Sequence, residues 1–192
     1  MKTLDQALAE SDLGSYPDAF QAAMRFILPH EVEFEKGHRG DYDHIRTENV
    51  AGDSGGATKY GVDAQAHPHT DVAGLDLNGA LAIYAGEWSG HNLDQLPDKL
   101  AVAAFDVWVN GGKANQWLQR ACNVVGCLAL AEDGNLGPAS IAALAECDES
   151  EVLRLFLRYR QERFNRLAQQ AHNAQFLEGW TNRNDDLAAL LA

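Results

Sequence analysis

Glu31, Asp53 and Thr58 are the residues whose types and spacing suggest chemistry. Glu31 closes the apolar stretch "PDAFQAAMRFILPH", where packing is expected to desolvate its carboxyl and favour the protonated form. Asp53 and Thr58 flank the glycine turn of "GDSGGAT". One carboxylic acid able to protonate a leaving oxygen, facing a polar pair able to hold water or steady positive charge, suits glycosidic bond cleavage. The turn invites two other readings, and both fail. "GDSGG" resembles a serine-protease nucleophile loop, but Ser54 has too little chain before it for the strands, His and Asp that such a serine requires. A phosphate-binding loop needs Gly-Lys-Ser/Thr, whereas Ala57, Thr58 and Lys59 stand here. What remains is a tight turn, permitted by Gly, between two polar groups.

Helices must position these groups. Phe20, Ala23, Met24, Ile27 and Leu28 recur at helical spacing over residues 17–30, and Pro29 is expected to end that helix. "VEF" after it alternates like a short strand. Residues 37–61, rich in Gly, Asp and His, read as loops with one or two short strands. From Asp76 a helix places Leu77, Leu81, Tyr84 and Trp88 on one face. "DKLAVAAFDVWV" is apolar nearly all round and reads as buried, capped by Asn110-Gly111-Gly112. "ANQWLQRACNVVG" is amphipathic. Pro138 starts a helix after an Asp133-Gly134 turn. Asp148 and Glu151 form a capping box for the long helix of residues 149–170. "FLEGWTNRNDDLAALL" closes the chain. The expected fold is α+β, predominantly helical, with a small N-terminal β/loop lobe.

Composition narrows the function. The 192 residues carry a net charge of −13, which opposes binding to nucleic acid or to an anionic membrane surface. No apolar run reaches the ~20 residues of a transmembrane helix. The first residues, "MKTLDQALAESDLGSYPD", lack a basic start and an apolar stretch, so no signal peptide is expected. Cys122, Cys127 and Cys147 read as buried structural thiols. His38, Asp41, Asp43 and His44 in "HRGDYDH", with His67 and His69 in "AHPH", offer zinc-type ligands. Neither segment has His-x-x-x-His spacing on a helix, so both read as solvated loops, and no metal or cofactor is expected. Trp88, Trp108, Trp117 and Trp180 could stack on sugar faces or pack in the core, and Trp108, in its apolar helix, reads as core. Tyr60, Trp180, Asn110 and Arg183 are the candidate sugar-binding groups.

"FILPHE" followed by "ENVAGDSGGATKYGVD" is similar to the motif of glycoside hydrolase family 108 muramidases. There a helix ends in Glu, and Asn-Asp-Pro-x-Asp-Pro-Gly-Gly-x-Thr-x-x-Gly-Ile follows. Asn49, Asp53, Gly55, Gly56, Thr58, Tyr60 and Gly61 match it, Ser54 stands where Pro is usual, and Val62 replaces Ile. "AAFDVWVNGGKANQWLQRACNV", "EDGNLGPASIAAL" and "FLEGWTNRNDDL" resemble the predicted peptidoglycan-binding half of the same proteins. The likeness runs over about residues 17–190. It departs at an insertion, "EVEFEKGHRGDYDHIRT", which leaves Glu35 as a second claimant to the acid position and Glu48 as a third.

The resemblance implies a lysozyme-like fold, with a muramidase region at 15–97 and a helical peptidoglycan-binding region at 98–192 packed as one unit. It implies hydrolysis of the β-1,4 bond between N-acetylmuramic acid and N-acetylglucosamine, with Glu31 as general acid, Asp53 as second carboxylate and Thr58 positioning water. A peptidoglycan-binding protein without catalysis is the alternative. Phage lysozymes with a similar Glu, Asp and Thr set are thought to invert. That implies a Glu31–Asp53 separation nearer ~6.5–9.5 Å than ~5–5.5 Å. The expected partners are glycan strands, plus an immunity protein if the chain is a secreted antibacterial effector, and the chain is expected to be a monomer. As an endolysin released through a holin, or as an effector exported by a specialised route, it would be made in the cytoplasm and act in the periplasm or cell wall.

Overall fold

The computed structural model describes residues 1–49 and 56–192, with the side chain of Asn49 outside that description. Its contacts divide the chain into two units, Met1–Glu87 and Trp88–Ala192. The fold is the mostly helical α+β type expected, and no described helix is long and apolar enough to cross a membrane.

In the first unit, α1 (Leu4–Ala9) opens with a reciprocal cap between Thr3 and Gln6. α2 (Asp18–Glu31) buries the five apolar residues whose spacing marked the helix. It runs through Pro29 to Glu31 instead of ending before it. Pro29 sits in the last turn, and the backbone N–H of Val32 still closes on Leu28 O at 3.1 Å. A proline there removes one backbone donor without blocking the turn that follows. "VEF" forms no strand: Phe34 makes a single antiparallel bridge to Ile45. Three short strands, β1 (Glu48–Asn49), β2 (Ala57–Lys59) and β3 (Val62–Asp63), make an antiparallel sheet in the order β1-β2-β3. α3 (Leu77–Gly90) follows, its Gly79 N–H capped by Asp76 Oδ1 at 2.7 Å. Leu81, Tyr84 and Trp88 are buried on its expected face.

The second unit is all helical. α4 (Asp98–Val109) buries every residue from Leu100 to Val107. α5 (Ala114–Gly126), α6 (Pro138–Glu146), α7 (Glu149–Ala168) and α8 (Leu177–Leu190) complete it, with α7 packed against α4, α5 and α8. Pro138 takes the first helical turn of α6, and Asp148 Oδ1 caps the Glu151 N–H at 3.0 Å. The Asp133-Gly134 turn is held by buried Gln119, whose Oε1 accepts from Gly134 N–H at 2.8 Å. Trp88 and Trp117 lie in the core, edge-on to Phe105 and Phe156.

Two expectations fail here. Trp108 is 38% exposed instead of core, stacked on His91 with ring centroids 3.5 Å apart. Cys127 is exposed, because it takes the left-handed position (φ 51°) that ends α5. Cys122 is buried as expected, and burial pushes its thiol up to about 12, helped by Cys147 Sγ at 3.1 Å.

Candidate active site

Glu31 is positioned by the apolar face of α2, which fixes the helix, and by the helix's reach past Pro29, which leaves the carboxyl at its last residue, half-buried. A hairpin meets it. Lys59 pairs with Val62, so Tyr60 and Gly61 form a two-residue turn, and both have positive φ (54° and 78°). That is the turn whose twist matches a hairpin, normally built from Asn and Gly. Tyr at the first position is strained, and the fold compensates. Tyr60 is buried, and its carbonyl accepts a hydrogen bond from the Tyr84 hydroxyl at 2.9 Å.

Gly61 brings the two parts together. A methyl added there would lie 2.8 Å from Glu31 Cβ and 3.3 Å from Cγ, and would collide with the Tyr84 hydroxyl. The turn backbone therefore rests directly on the stem of the acid. Gly61→Ala should strain the left-handed backbone and displace Glu31. A loss of roughly 2–4 kcal/mol is expected from the two effects together. The denaturation midpoint in urea measures it, and an unchanged midpoint would contradict this packing.

Thr58 lies on the middle strand, two residues before the turn. It pairs with Glu48 on one side and Asp63 on the other. Directly opposed residues share a face, so the hydroxyl stands between two carboxylates. Asp63 Oδ1 is engaged by the Gln65 and Ala66 N–H groups at 2.9 and 2.8 Å. Glu48, a lesser claimant by sequence, thus becomes the cross-strand neighbour of Thr58. Asp53, with Ser54 and Gly55, lies outside the described residues, and so does the Glu31–Asp53 separation. Glu35 is exposed on the loop beyond α2, its N–H bonded to His44 O at 2.9 Å.

The sugar-binding candidates fall differently. Tyr60 is only 8% exposed, which leaves little ring face for a sugar, and burial raises its phenol above the ordinary range. In the second unit, Asn110 caps α4 and donates to Asp106 O at 3.3 Å. Trp180 packs between Phe164 and Phe176, at 5.4 and 5.8 Å. Arg183 serves the core: its Nε and Nη2 donate to Asp106 Oδ1 at 3.0 and 2.6 Å. Arg160 Nη2 lies 2.5 Å from Asp106 Oδ2, an ion pair not aligned as a hydrogen bond. Burial lowers Arg160, and Asp106 opposes that shift. Trp108, which its apolar helix concealed, is an exposed aromatic, as is Phe176. Trp108 lines a shallow cavity of about 220 Å³ with Lys113, Asn115, Gln116 and Gly134.

Residues 45–112 match the family model Glycosyl hydrolase 108, and residues 113–185 match Predicted Peptidoglycan domain. The two matches, adjacent in the chain, indicate a glycoside hydrolase acting on peptidoglycan. The hydrolase match extends to Gly112, so the "AAFDVWVNGG" stretch belongs with it and not with the peptidoglycan domain, where its likeness had placed it. The match begins at Ile45, near the end of the inserted stretch, so Glu31 precedes it. Among solved structures, that of Brucella abortus SagA is similar, with a TM-score of 0.65 and 21% identity over 90% of this chain and 92% of that one. That likeness establishes a shared fold. No curated protein matches the chain.

Proposed function

We propose that the chain is an N-acetylmuramidase, cleaving the β-1,4 bond between N-acetylmuramic acid and N-acetylglucosamine. Glu31 donates a proton to the leaving glycosidic oxygen. A water held by Thr58 attacks the anomeric carbon, and Asp53 takes the proton that water loses. The observation that carries this reading is the seating of the Tyr60–Gly61 turn on the Glu31 stem. It couples the helix-end acid to the strand that carries Thr58. Trp108, exposed beside the peptidoglycan-domain residues Lys113, Asn115 and Gln116, is a platform for a sugar face in this reading. Release by a holin or by specialised secretion would bring it to the wall, as an endolysin or an antibacterial effector. A holin gene beside it would favour the first, and an immunity gene the second.

Purified peptidoglycan distinguishes cleavage from binding alone. Incubation with the chain should release reducing sugar ends without new free amino groups. Sedimentation with the glycan and no released ends would support the non-catalytic alternative, and new amino groups would indicate peptide-bond cleavage. Inversion is the expected stereochemistry, read as an α anomer formed first in proton NMR.

A further inference from the structure

The loop after α2 folds back on itself. Phe34 bridges Ile45, Glu35 N–H donates to His44 O at 2.9 Å, and Arg46 N–H donates to Glu33 O at 2.8 Å. Between them the chain turns at Gly37 and Gly40, with φ of 89° and 83°. Those turns stack the rings of His38 and His44, their centroids 3.8 Å apart and planes at 19°. Glu35 joins them: one ligand atom from each of Glu35, His38 and His44 lies within 4.8 Å of the others.

Behind the histidines sits Asp41, only 7% exposed. Its Oδ1 accepts from the backbone N–H groups of Lys2 and Asp43, at 2.8 and 3.3 Å. Its Oδ2 is 3.3 Å from His44 Nδ1 and 3.9 Å from His38 Nδ1. His44 Nδ1 is itself buried and lacks an aligned hydrogen bond. A buried carboxylate turned toward the Nδ1 atoms of two stacked imidazoles is the outer partner that metal-bound histidines have.

We propose that Glu35, His38 and His44 bind a divalent transition-metal ion of the zinc class, with Asp41 orienting both imidazoles. The donor set decides the class. Two nitrogens and one carboxylate suit zinc, whereas calcium and magnesium require oxygen ligands. With both Nδ1 atoms directed at Asp41, the Nε2 atoms are left for the ion. Ligation there fixes the proton on Nδ1. Rings stacked at 19° point their Nε2 lone pairs nearly the same way, so both must splay apart to meet one ion, and that movement breaks the stack. Ligand atoms around tetrahedral zinc sit about 3.3–3.5 Å apart, so atoms up to 4.8 Å apart must close by as much as about 1.5 Å. Gly37 and Gly40, within the loop, can absorb that change. The fourth position falls to water. The site lies in the insertion that separates Glu31 from the rest of the motif, so the ion would brace the chain leaving the acid. The sequence alone gave no reason to group Glu35 with these histidines.

The test uses the full, untagged chain stripped with a chelator and titrated with Zn²⁺ by calorimetry. One equivalent should bind. His38→Ala or His44→Ala should weaken binding at least 10-fold, and Asp41→Asn by about 10–100-fold. Should the variants misfold, imidazole NMR of the native chain decides instead. Zn²⁺ should shift the rings of His38 and His44 and spare the other five histidines. No stoichiometric binding, binding unchanged in the His38→Ala/His44→Ala double variant, or shifts centred on His67 and His69 would each overturn the proposal. None of these readouts involves glycan cleavage, so failure here leaves the muramidase reading untouched, and the reverse holds.

Discussion

Glu31→Gln is expected to slow peptidoglycan hydrolysis by at least about 10²-fold, the usual worth of a positioned acid or base. The substitution keeps the size and shape of the side chain, so the Tyr60–Gly61 turn can still rest on its stem. What it removes is the transferable proton. The loss should therefore appear in kcat with little change in KM, because the interaction matters where the leaving oxygen gains charge. The thermal midpoint should stay near that of the native chain. The main competitor is Glu35, four residues on and exposed. If Glu31→Gln keeps near-native turnover while Glu35→Gln abolishes it, the acid lies beyond the helix end and the assignment moves with it.

The largest expected effect on stability comes from Asp106→Ala. Asp106 is fully buried in α4 and faces Arg160 and Arg183. Arg160 is itself almost completely buried. Removing the carboxylate leaves an uncompensated guanidinium inside the helical unit, which costs about 3–5 kcal/mol when one partner of a buried pair is lost. Denaturant unfolding of the native and variant chains measures this, with the slope checked for constancy. A loss below about 1 kcal/mol would mean that water reaches Arg160 and that the triad is not a closed ionic core.

Sequence reasoning reached the helices because their apolar residues recur at helical spacing, as on the α2 face from Phe20 to Leu28. It missed what depends on contacts distant in the chain. Pro29 looked like a stop, yet in the last turn it forfeits one donor and the helix carries on to Glu31. The Tyr60–Gly61 turn was not legible as a hairpin, since Tyr is a poor choice for a left-handed position and only the distant Tyr84 hydroxyl and burial offset the strain. The ionic role of Asp106 was not legible either, because its arginines lie on α7 and α8. Arg183 read as a sugar contact for the same reason. Trp108 read as core because its neighbours are, whereas its place at the end of α4 turns it outward. The pairing of Glu31 with Thr58 is a proposal from motif spacing; what the fold shows is Gly61, three residues past Thr58, resting on the Glu31 stem with no room for a side chain.

The bond proposed to be cut is the one following N-acetylmuramic acid. Soluble products released from purified peptidoglycan are reduced with borohydride, hydrolysed and separated, with mass spectrometry reading which sugar became the alditol. Muramitol is the expected product, formed by the native chain and lost with Glu31→Gln. Glucosaminitol as the new end would contradict the proposal, because the same carboxyl would then be cleaving the other glycosidic bond of the strand.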